Sequence, residues 1–130
     1  MQVVDGSVAG FRFGKHERIR MRRDISKVFD SGSRCSVKGL RLHYLATGAS
    51  LTRAVFVTVR KYGNAVARNR ARRVVSECWR LTKPSLATGF DAVFVIYPGE
   101  DSARARCPQV QALVQRAGLV RPLADAGQIS

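Results

Sequence analysis

Residues 61–81 read KYGNAVARNRARRVVSECWRL and predict a helix with two different faces. Gly63-Asn64 is a turn signal, and the Asn64 side chain can cap a helix by accepting a hydrogen bond from an N–H group of its first turn. Most of the remaining circumference is arginine and asparagine, so we expect one face against a core and the other against a negatively charged partner. The apolar residues recur at helical spacing within an arc of roughly 120°; they are Ala67, Ala71, Val74, Val75, Cys78 and Leu81.

The charge of the whole chain also indicates an anionic partner. Lys and Arg number 23 against 9 Asp and Glu, which gives a net charge of +14 over 130 residues. Such an excess repels itself and is relieved by a bound polyanion. The hydrophobic content of 45% is ordinary for a folded domain, so the chain is not a disordered basic tail. Nucleic acid is favoured over a membrane surface as the partner.

The cysteines and the apolar runs favour a cytoplasmic location. Cys35, Cys78 and Cys107 lie far apart and form no C-x-x-C pair, so a zinc knuckle is disfavoured. Their odd number and the expected burial of Cys78 fit a reducing compartment. The N-terminus lacks the apolar core of a signal peptide, and the longest apolar run, residues 92–97, is too short to span a bilayer.

The order of predicted elements indicates a single α+β domain. A short helix is expected over residues 24–32, a weak strand or loop over 33–37, and strands over 40–45, 54–60 and 91–97. A last helix is expected to open at Pro108 and to end near Gly118. The strand–helix–strand unit over residues 54–97 predicts a parallel pair. Residues 1–10 are expected to be disordered, residues 11–120 to form the domain and residues 121–130 to form a flexible tail.

Strand 54–60 carries different side chains on its two faces. Val55, Val57 and Val59 point one way and are expected to pack a core, whereas Phe56 points the other way with Thr58 and Arg60. Phe56 would line a cleft if no helix covers its face. For Phe29, on the apolar side of the first helix, core packing and a cleft wall are both open.

No constellation of catalytic residues stands out in the sequence. His16 and His43, the two histidines, have neither metal-ligand spacing nor an obvious nucleophile beside them. The carboxylates are scattered, and only Glu100 and Asp101 are adjacent, in what reads as a turn. Two-metal phosphoryl chemistry needs carboxylates that converge on a pair of cations, so a self-sufficient nuclease is disfavoured. Arginines at a helix N-terminus are instead suited to binding phosphate.

The motif of the arginine-rich helix resembles the signature of bacterial ribonuclease P protein components. The Arg-Asn-Arg of that family corresponds to Arg68-Asn69-Arg70, preceded by Gly63-Asn64-Ala65-Val66 in the same register. The pattern of residues 18–32 resembles the first helix of the family, and the resemblance extends over about residues 11–119. It implies a single-domain α–β sandwich with a left-handed βαβ crossover, like the second domain of a small-subunit ribosomal protein. Sequence rules alone would predict a right-handed crossover.

The resemblance also implies a function. Ribonuclease P is an endoribonuclease that removes the 5′ leader from precursor tRNA. Its RNA subunit performs the hydrolysis with Mg²⁺, and no catalytic residue or metal site is assigned to the protein. The residues implied to face the RNA subunit are Arg60, Lys61, Asn64, Arg68, Asn69, Arg70, Arg72 and Arg73. The residues implied to line a cleft for the single-stranded leader are Phe29, Leu40, Leu42, His43 and Phe56.

Three residues depart from the family pattern, and a second function class remains open. Ile25 stands where the family usually has Phe, His43 where an aromatic is common, and Tyr97 where Arg is frequent. These departures concern the cleft more than the arginine-rich helix. The expected partners are the RNA subunit and precursor tRNA, with neither membrane nor DNA. The alternative is a basic structural protein that binds ribosomal RNA.

Overall fold

The structure, a computed structural model, describes residues 17–120. The expectations for residues 1–10 and 121–130 lie outside this range. No helix between residues 17 and 120 is long and apolar enough to cross a membrane. The helices are α1 (Arg22–Ser31), α2 (Ala65–Thr82) and α3 (Ala103–Arg116), and a 3-10 turn (Lys83–Ser85) follows α2. The strands are β1 (Ser33–Val37), β2 (Leu40–Ala46), β3 (Arg53–Thr58) and β4 (Phe90–Ile96).

The four strands form one sheet in the order β1-β2-β4-β3. β1 and β2 are an antiparallel hairpin, and β2 also pairs antiparallel with β4. β3 and β4 are parallel, and the chain between them contains α2. The α+β class and the parallel pair are therefore confirmed, whereas the left-handed crossover stays a prediction. β3 is the edge strand on the side of the sheet opposite β1.

The larger core lies between the sheet and the pair α2 and α3. Phe94 in the middle of β4 stacks on Phe56 of β3, with ring centroids 5.5 Å apart. Trp79 of α2 meets Phe94 edge-on at 5.4 Å. Burial of three large aromatic side chains in one cluster is a major source of stability, because each removes a large apolar area from water.

A smaller core lies on the other face of the sheet, beneath α1. Ile19, Val28 and Val93 are its buried members. α1 packs mainly on β2 and β4, and Val55 and Val57 of the edge strand β3 are half-buried against this smaller core. The expectation that these valines pack a core is therefore confirmed for Val55 and Val57, but the main core lies on the opposite face of β3, which α2 and α3 cover.

α3 begins earlier than the sequence indicates. Ser102 caps it, and the Ser102 hydroxyl accepts a hydrogen bond from the Ala105 N–H at 3.2 Å. Pro108, expected at the first position, lies inside the helix, where it has no N–H to donate. Gly118 follows the helix with φ 74°, a conformation that favours glycine, as expected for a helix end.

Two cysteines are joined in a disulfide, which the sequence did not predict. α2 and α3 pack side by side on one face of the sheet, and this brings the Cα atoms of Cys78 and Cys107 to 5.0 Å. Cys35 is the free cysteine among the described residues. The pairing corrects the interpretation of all three as the unpaired thiols of a reducing compartment. Cys78 and Cys107 are 29 residues apart, and no sequence pattern at that spacing predicts the disulfide.

Candidate nucleic-acid interfaces

The turn before α2 sets the position at which the helix starts. Gly63 has φ 136°, a backbone conformation that L side chains rarely adopt. Asn64 then caps the helix, because its Oδ1 accepts a hydrogen bond from the Ala67 N–H at 2.8 Å. The capping predicted for Asn64 is confirmed. The first turn of α2 therefore faces outward with the positive end of the helix dipole beside several arginines.

The residues predicted to face RNA lie together on the first half of α2 and on the turn before it. We call this set the arginine surface. Arg68 and Arg72 are half-buried and the other members are exposed. The opposite side of α2 packs on the sheet through Ala71, Val75 and Cys78. The arginine surface consists of Arg60, Lys61, Asn64, Arg68, Asn69, Arg70, Arg72 and Arg73.

The apolar stripe of α2 ends at a different residue from the one expected. Leu81 is 51% exposed, whereas Trp79 is buried beside Phe94. The buried side of the helix consists of Ala71, Val75, Cys78 and Trp79, and Leu81 lies outside it. This shift leaves the arginine surface unchanged, because the arginine surface lies on the first half of α2.

The single carboxylate of α2 is paired away from the arginine surface. Arg80 Nε donates to Glu77 Oε1 at 3.0 Å, and the same guanidinium forms a second contact with the carboxylate. This hydrogen bond lowers the pKa of Glu77 below its ordinary value. The pair lies in the second half of α2, so it does not neutralise the positive charge of the first half.

A buried arginine holds the turn that carries the arginine surface. Arg106 of α3 is fully buried, and its Nη2 donates to the Tyr62 hydroxyl at 2.9 Å. The Tyr62 hydroxyl in turn donates to the Asp101 carboxylate at 2.6 Å, and Arg106 pairs with the same carboxylate at 2.9 Å. Arg106 also donates to the carbonyls of Gly39 and Tyr97.

This network of Arg106, Tyr62 and Asp101 was missed by sequence reasoning. Tyr62 lies between Lys61 and Gly63, so the network fixes the start of α2 against α3 and the ends of β2 and β4. Burial, followed by the hydrogen bond to Asp101, raises the pKa of Tyr62. An arginine in an amphipathic helix gives no local signal of complete burial, because its partners come from three separate segments of the chain.

A second candidate surface lies where α1 crosses the sheet. Phe29 of α1 is 42% exposed, and its ring meets His43 of β2 edge-on with centroids 4.6 Å apart. His43 is 9% exposed, and burial lowers its pKa, with further lowering by the positive charges of Arg41 and Arg34. The imidazole is therefore held in its neutral form at neutral pH.

Further side chains on this face extend the surface toward the edge strand. Arg41 opposes Val95 in the register of β2 and β4, and Val95 opposes Val57 of β3. The Arg41 guanidinium lies over the Tyr97 ring, 5.7 Å from its centroid. We call this surface the helix-1 face; it consists of Phe29, Arg41, His43, Val57, Val95 and Tyr97.

The predicted leader cleft is only partly assembled by the structure. Leu40 and Leu42 are completely buried and Phe56 is 8% exposed, all three on the side covered by α2 and α3. Their placement in one cleft with Phe29 and His43 is therefore wrong. The reason is the two-residue period of a strand, which puts His43 and Leu42 on opposite faces of β2. The same period could have identified Arg41 as the neighbour of His43.

Several carboxylates are committed to ion pairs within the fold. Arg53 makes two hydrogen bonds to Asp91, at 2.9 and 2.6 Å, and lies 3.5 Å from Asp24. Lys83 pairs with Glu17 at 2.6 Å. Within residues 17–120, no group of three or more His, Cys, Asp and Glu side chains is placed to hold a metal ion. The donor set on this part of the chain therefore does not fit a metal centre.

Comparisons of the sequence and of the fold with known proteins all give ribonuclease P proteins. The sequence model of one family, described as Ribonuclease P, matches residues 13–118. The ribonuclease P protein component of Roseiflexus sp. (strain RS-1) is 39% identical over 113 residues, which cover 84% of this chain and 85% of that protein. The RNase P protein from Thermotoga maritima is 32% identical, with a TM-score of 0.57 over 62% of this chain and 73% of that one. The Staphylococcus aureus RNase P protein has the same fold, with a TM-score of 0.73 over 81% of this chain and 98% of that one, at 16% identity.

Proposed function

The chain belongs to the ribonuclease P protein family, and on that premise we propose that it is the RNA-binding subunit of ribonuclease P. In this role it assists a catalytic RNA subunit in the endonucleolytic removal of the 5′ leader from precursor tRNA. The observation that carries the proposal is the arginine surface, which gathers the family's Arg-Asn-Arg motif at a capped helix N-terminus.

The arginine surface is proposed to bind the RNA subunit. Guanidinium groups offer paired donors to phosphate oxygens, and the N-terminal turn of α2 adds outward-pointing N–H groups. Arg68 and Arg70 lie near that turn, and Glu77 is paired with Arg80 instead. The Arg106 network supports this assignment, because it holds the start of α2 in one orientation and so reduces the conformational cost of binding.

The helix-1 face is proposed to bind the single-stranded leader. Phe29 and Tyr97 offer aromatic rings to unpaired bases, and Arg41 supplies positive charge between them. The neutral His43 adds a ring that can donate or accept a hydrogen bond. Tyr97 stands at a position where the family frequently has Arg. The guanidinium of Arg41, which lies over the Tyr97 ring, supplies a positive charge there instead.

The hydrolysis and its Mg²⁺ ions are proposed to belong to the RNA subunit. Bound Mg²⁺ would activate a water molecule and stabilise the leaving oxygen there. The protein's contribution is to position the leader and to offset the negative charge where the two RNAs meet. Support comes from the carboxylates, since Asp91 and Asp101 are engaged with Arg53 and Arg106. We also place the complex in the cytoplasm, with neither DNA nor membrane as a partner.

Identification of the RNA that copurifies with the chain tests this proposal. Tagged protein, isolated from its own cells at moderate salt, should carry the ribonuclease P RNA as the most enriched species. A variant in which Arg68 and Arg70 are both replaced by Ala should lose most of that enrichment. Predominant ribosomal RNA would instead support a structural protein of the ribosome and contradict the proposal.

A further inference from the structure

A cavity of about 360 Å³ lies at the β3 edge of the sheet, beside the arginine surface. Edge strand β3 forms its floor, residues 18–20 form one wall and α2 forms the other. The volume falls within the range of about 300–1,000 Å³ that is typical of small-ligand sites. The cavity is separate from the helix-1 face, because the two share no lining residue.

The floor of the cavity is apolar and held in place. Ala54 and Phe56 belong to the main core, and Ile19 is buried on the other side of the strand. The Ile19 N–H donates to the Ala54 carbonyl at 3.1 Å, which fixes residues 18–20 beside β3. Ala54 is completely buried and Phe56 is 8% exposed, so the half-buried Val55 and the exposed part of Phe56 form the apolar surface that a flat base could reach.

The rim of the cavity is strongly basic. Arg18 and Arg20 stand on one side, and Arg72 and Arg73 stand on the other. Ser76 adds a hydroxyl on the α2 wall, one turn after Arg72. No carboxylate lines the cavity among the described residues. An apolar floor beneath four guanidinium groups matches a group that is flat and apolar at one end and anionic at the other.

We propose that this cavity binds one unpaired ribonucleotide of the RNA subunit, a proposal that rests on the proposed function above. The base enters against Val55 and the small exposed part of Phe56, and the phosphates on either side of it contact the arginines of the rim. Arginines and aromatic rings are the groups on which proteins hold bases that have left a helical stack. Arg18 and Arg20 thereby become RNA contacts in addition to the arginine surface.

The position of the cavity favours the RNA subunit over the leader as the source of the nucleotide. Arg72 and Arg73 belong both to the cavity rim and to the arginine surface, so a strand bound along α2 passes over the opening. The helix-1 face, proposed for the leader, lies on the other side of the sheet. A nucleotide that enters beside Ser76 is therefore continuous with RNA bound to α2.

Chemical footprinting of the assembled complex tests the proposal. Reagents that modify the Watson–Crick edges of unpaired bases should show one nucleotide of the RNA subunit that the wild-type protein protects. Ser76→Met fills the cavity without changing the charge. This variant should lose that protection and bind the RNA about tenfold more weakly, as expected for one lost stacked base, with an unchanged salt dependence.

A second pair of variants removes charge instead of space and does not disturb the core. Arg18→Ala with Arg20→Ala removes one wall of the rim at exposed positions. Arg22→Ala with Arg23→Ala removes the same charge from the exposed start of α1, outside the cavity. Only the first pair should abolish the protection of the single nucleotide. If the two double variants protect this nucleotide equally, the proposal is overturned.

The source of the nucleotide is decided by footprinting each RNA in turn. Protection that appears in precursor tRNA and not in the RNA subunit would overturn the assignment to the RNA subunit. A wild-type protein that binds the RNA subunit and supports processing, while Ser76→Met leaves every footprint unchanged, would overturn the cavity proposal alone. A wild-type protein that does not bind the RNA subunit would instead overturn the proposed function itself.

Discussion

Phe29 and Phe56 have the same side chain and were both expected in one cleft, yet they serve different purposes. Phe29 is 42% exposed on α1 and touches His43 with one edge. Phe56 stacks on Phe94 beneath α2 and is 8% exposed. Exposure leaves the Phe29 ring available to a base, whereas the Phe56 ring is mainly a stabilising element of the core.

Alanine substitution of these two residues should separate the roles. Phe29→Ala is expected to weaken precursor tRNA binding by ~1–3 kcal/mol, the value of stacking on one base, with little effect on mature tRNA. Phe56→Ala is expected to lower the free energy of unfolding by about 3–5 kcal/mol, because it opens a cavity in an aromatic cluster. Binding titrations with both tRNAs and urea unfolding provide the measurements. Equal losses for precursor and mature tRNA would place Phe29 in the core.

His43 should make the stability of the fold depend on pH in the acidic range. Burial and the nearby Arg41 and Arg34 lower its pKa in the folded protein. The unfolded chain then takes up a proton near pH 6.5 that the folded chain resists. The free energy of unfolding should fall as pH drops below about 6.5 and should not change through this residue above about 7.

Urea unfolding at about pH 5.5 and about pH 7.5 checks this effect. His43→Gln should show a smaller loss between the two conditions than the wild type, because it removes the titrating group. His16 and the carboxylates remain in both proteins and contribute equally to each. The same loss in both proteins would mean that the imidazole is not protected from protonation.

At the scale of elements, α2 presents a core face and an RNA face that are set by one register. The register follows from Gly63 and the Asn64 cap, because a shift by one residue would rotate every arginine by about 100°. Ala71 and Val75 then point to the sheet. The arginine surface is therefore a consequence of where the helix starts.

Loss of single arginines from α2 should change the salt dependence of binding. Arg68→Ala or Arg70→Ala is expected to weaken binding of the RNA subunit and to reduce the log–log salt slope by about one per lost phosphate contact. Arg104→Ala, an exposed arginine of α3, should leave the slope unchanged. Filter binding over a range of salt concentrations gives the slopes. A slope that is unaltered by either α2 variant would mean that these arginines are only solvated.

Local sequence signals predicted the elements, and tertiary packing decided what they do. The Asn64 cap, the two-residue alternation and the Gly118 stop were all readable, because each depends on a few neighbouring residues. Alternation defines two faces of β3 but not which one a helix covers, so Phe56 was assigned to the wrong environment. The pairing of Cys78 with Cys107 depends on how α2 and α3 pack, which no local pattern contains.

At the scale of the whole molecule, Arg106 joins parts of the chain that are far apart in sequence. It connects α3 to the β1–β2 turn, the end of β4 and the turn before α2. A fully buried guanidinium is stable only with its hydrogen bonds satisfied. Arg106 therefore couples the integrity of the core to the placement of the arginine surface.

Replacement of Arg106 should destabilise the folded protein. Arg106→Met is expected to lower the free energy of unfolding by about 3–5 kcal/mol, because Asp101 and two carbonyls lose their donor. Arg104→Met, two residues earlier and exposed, should stay within about 0.5 kcal/mol of the wild type. Urea unfolding of the two variants makes the comparison. Similar losses in both would show that the Arg106 network does not stabilise the fold.

The central claim is that this protein assists a catalytic RNA and does not cut RNA itself. The most direct measurement is the cleavage rate of precursor tRNA at low Mg²⁺ with the protein alone, the RNA subunit alone and the two together. The protein alone should leave the substrate intact, and the pair should remove the 5′ leader faster than the RNA alone. Cleavage by protein freed of all RNA, or a pair no faster than the RNA alone, would contradict the account.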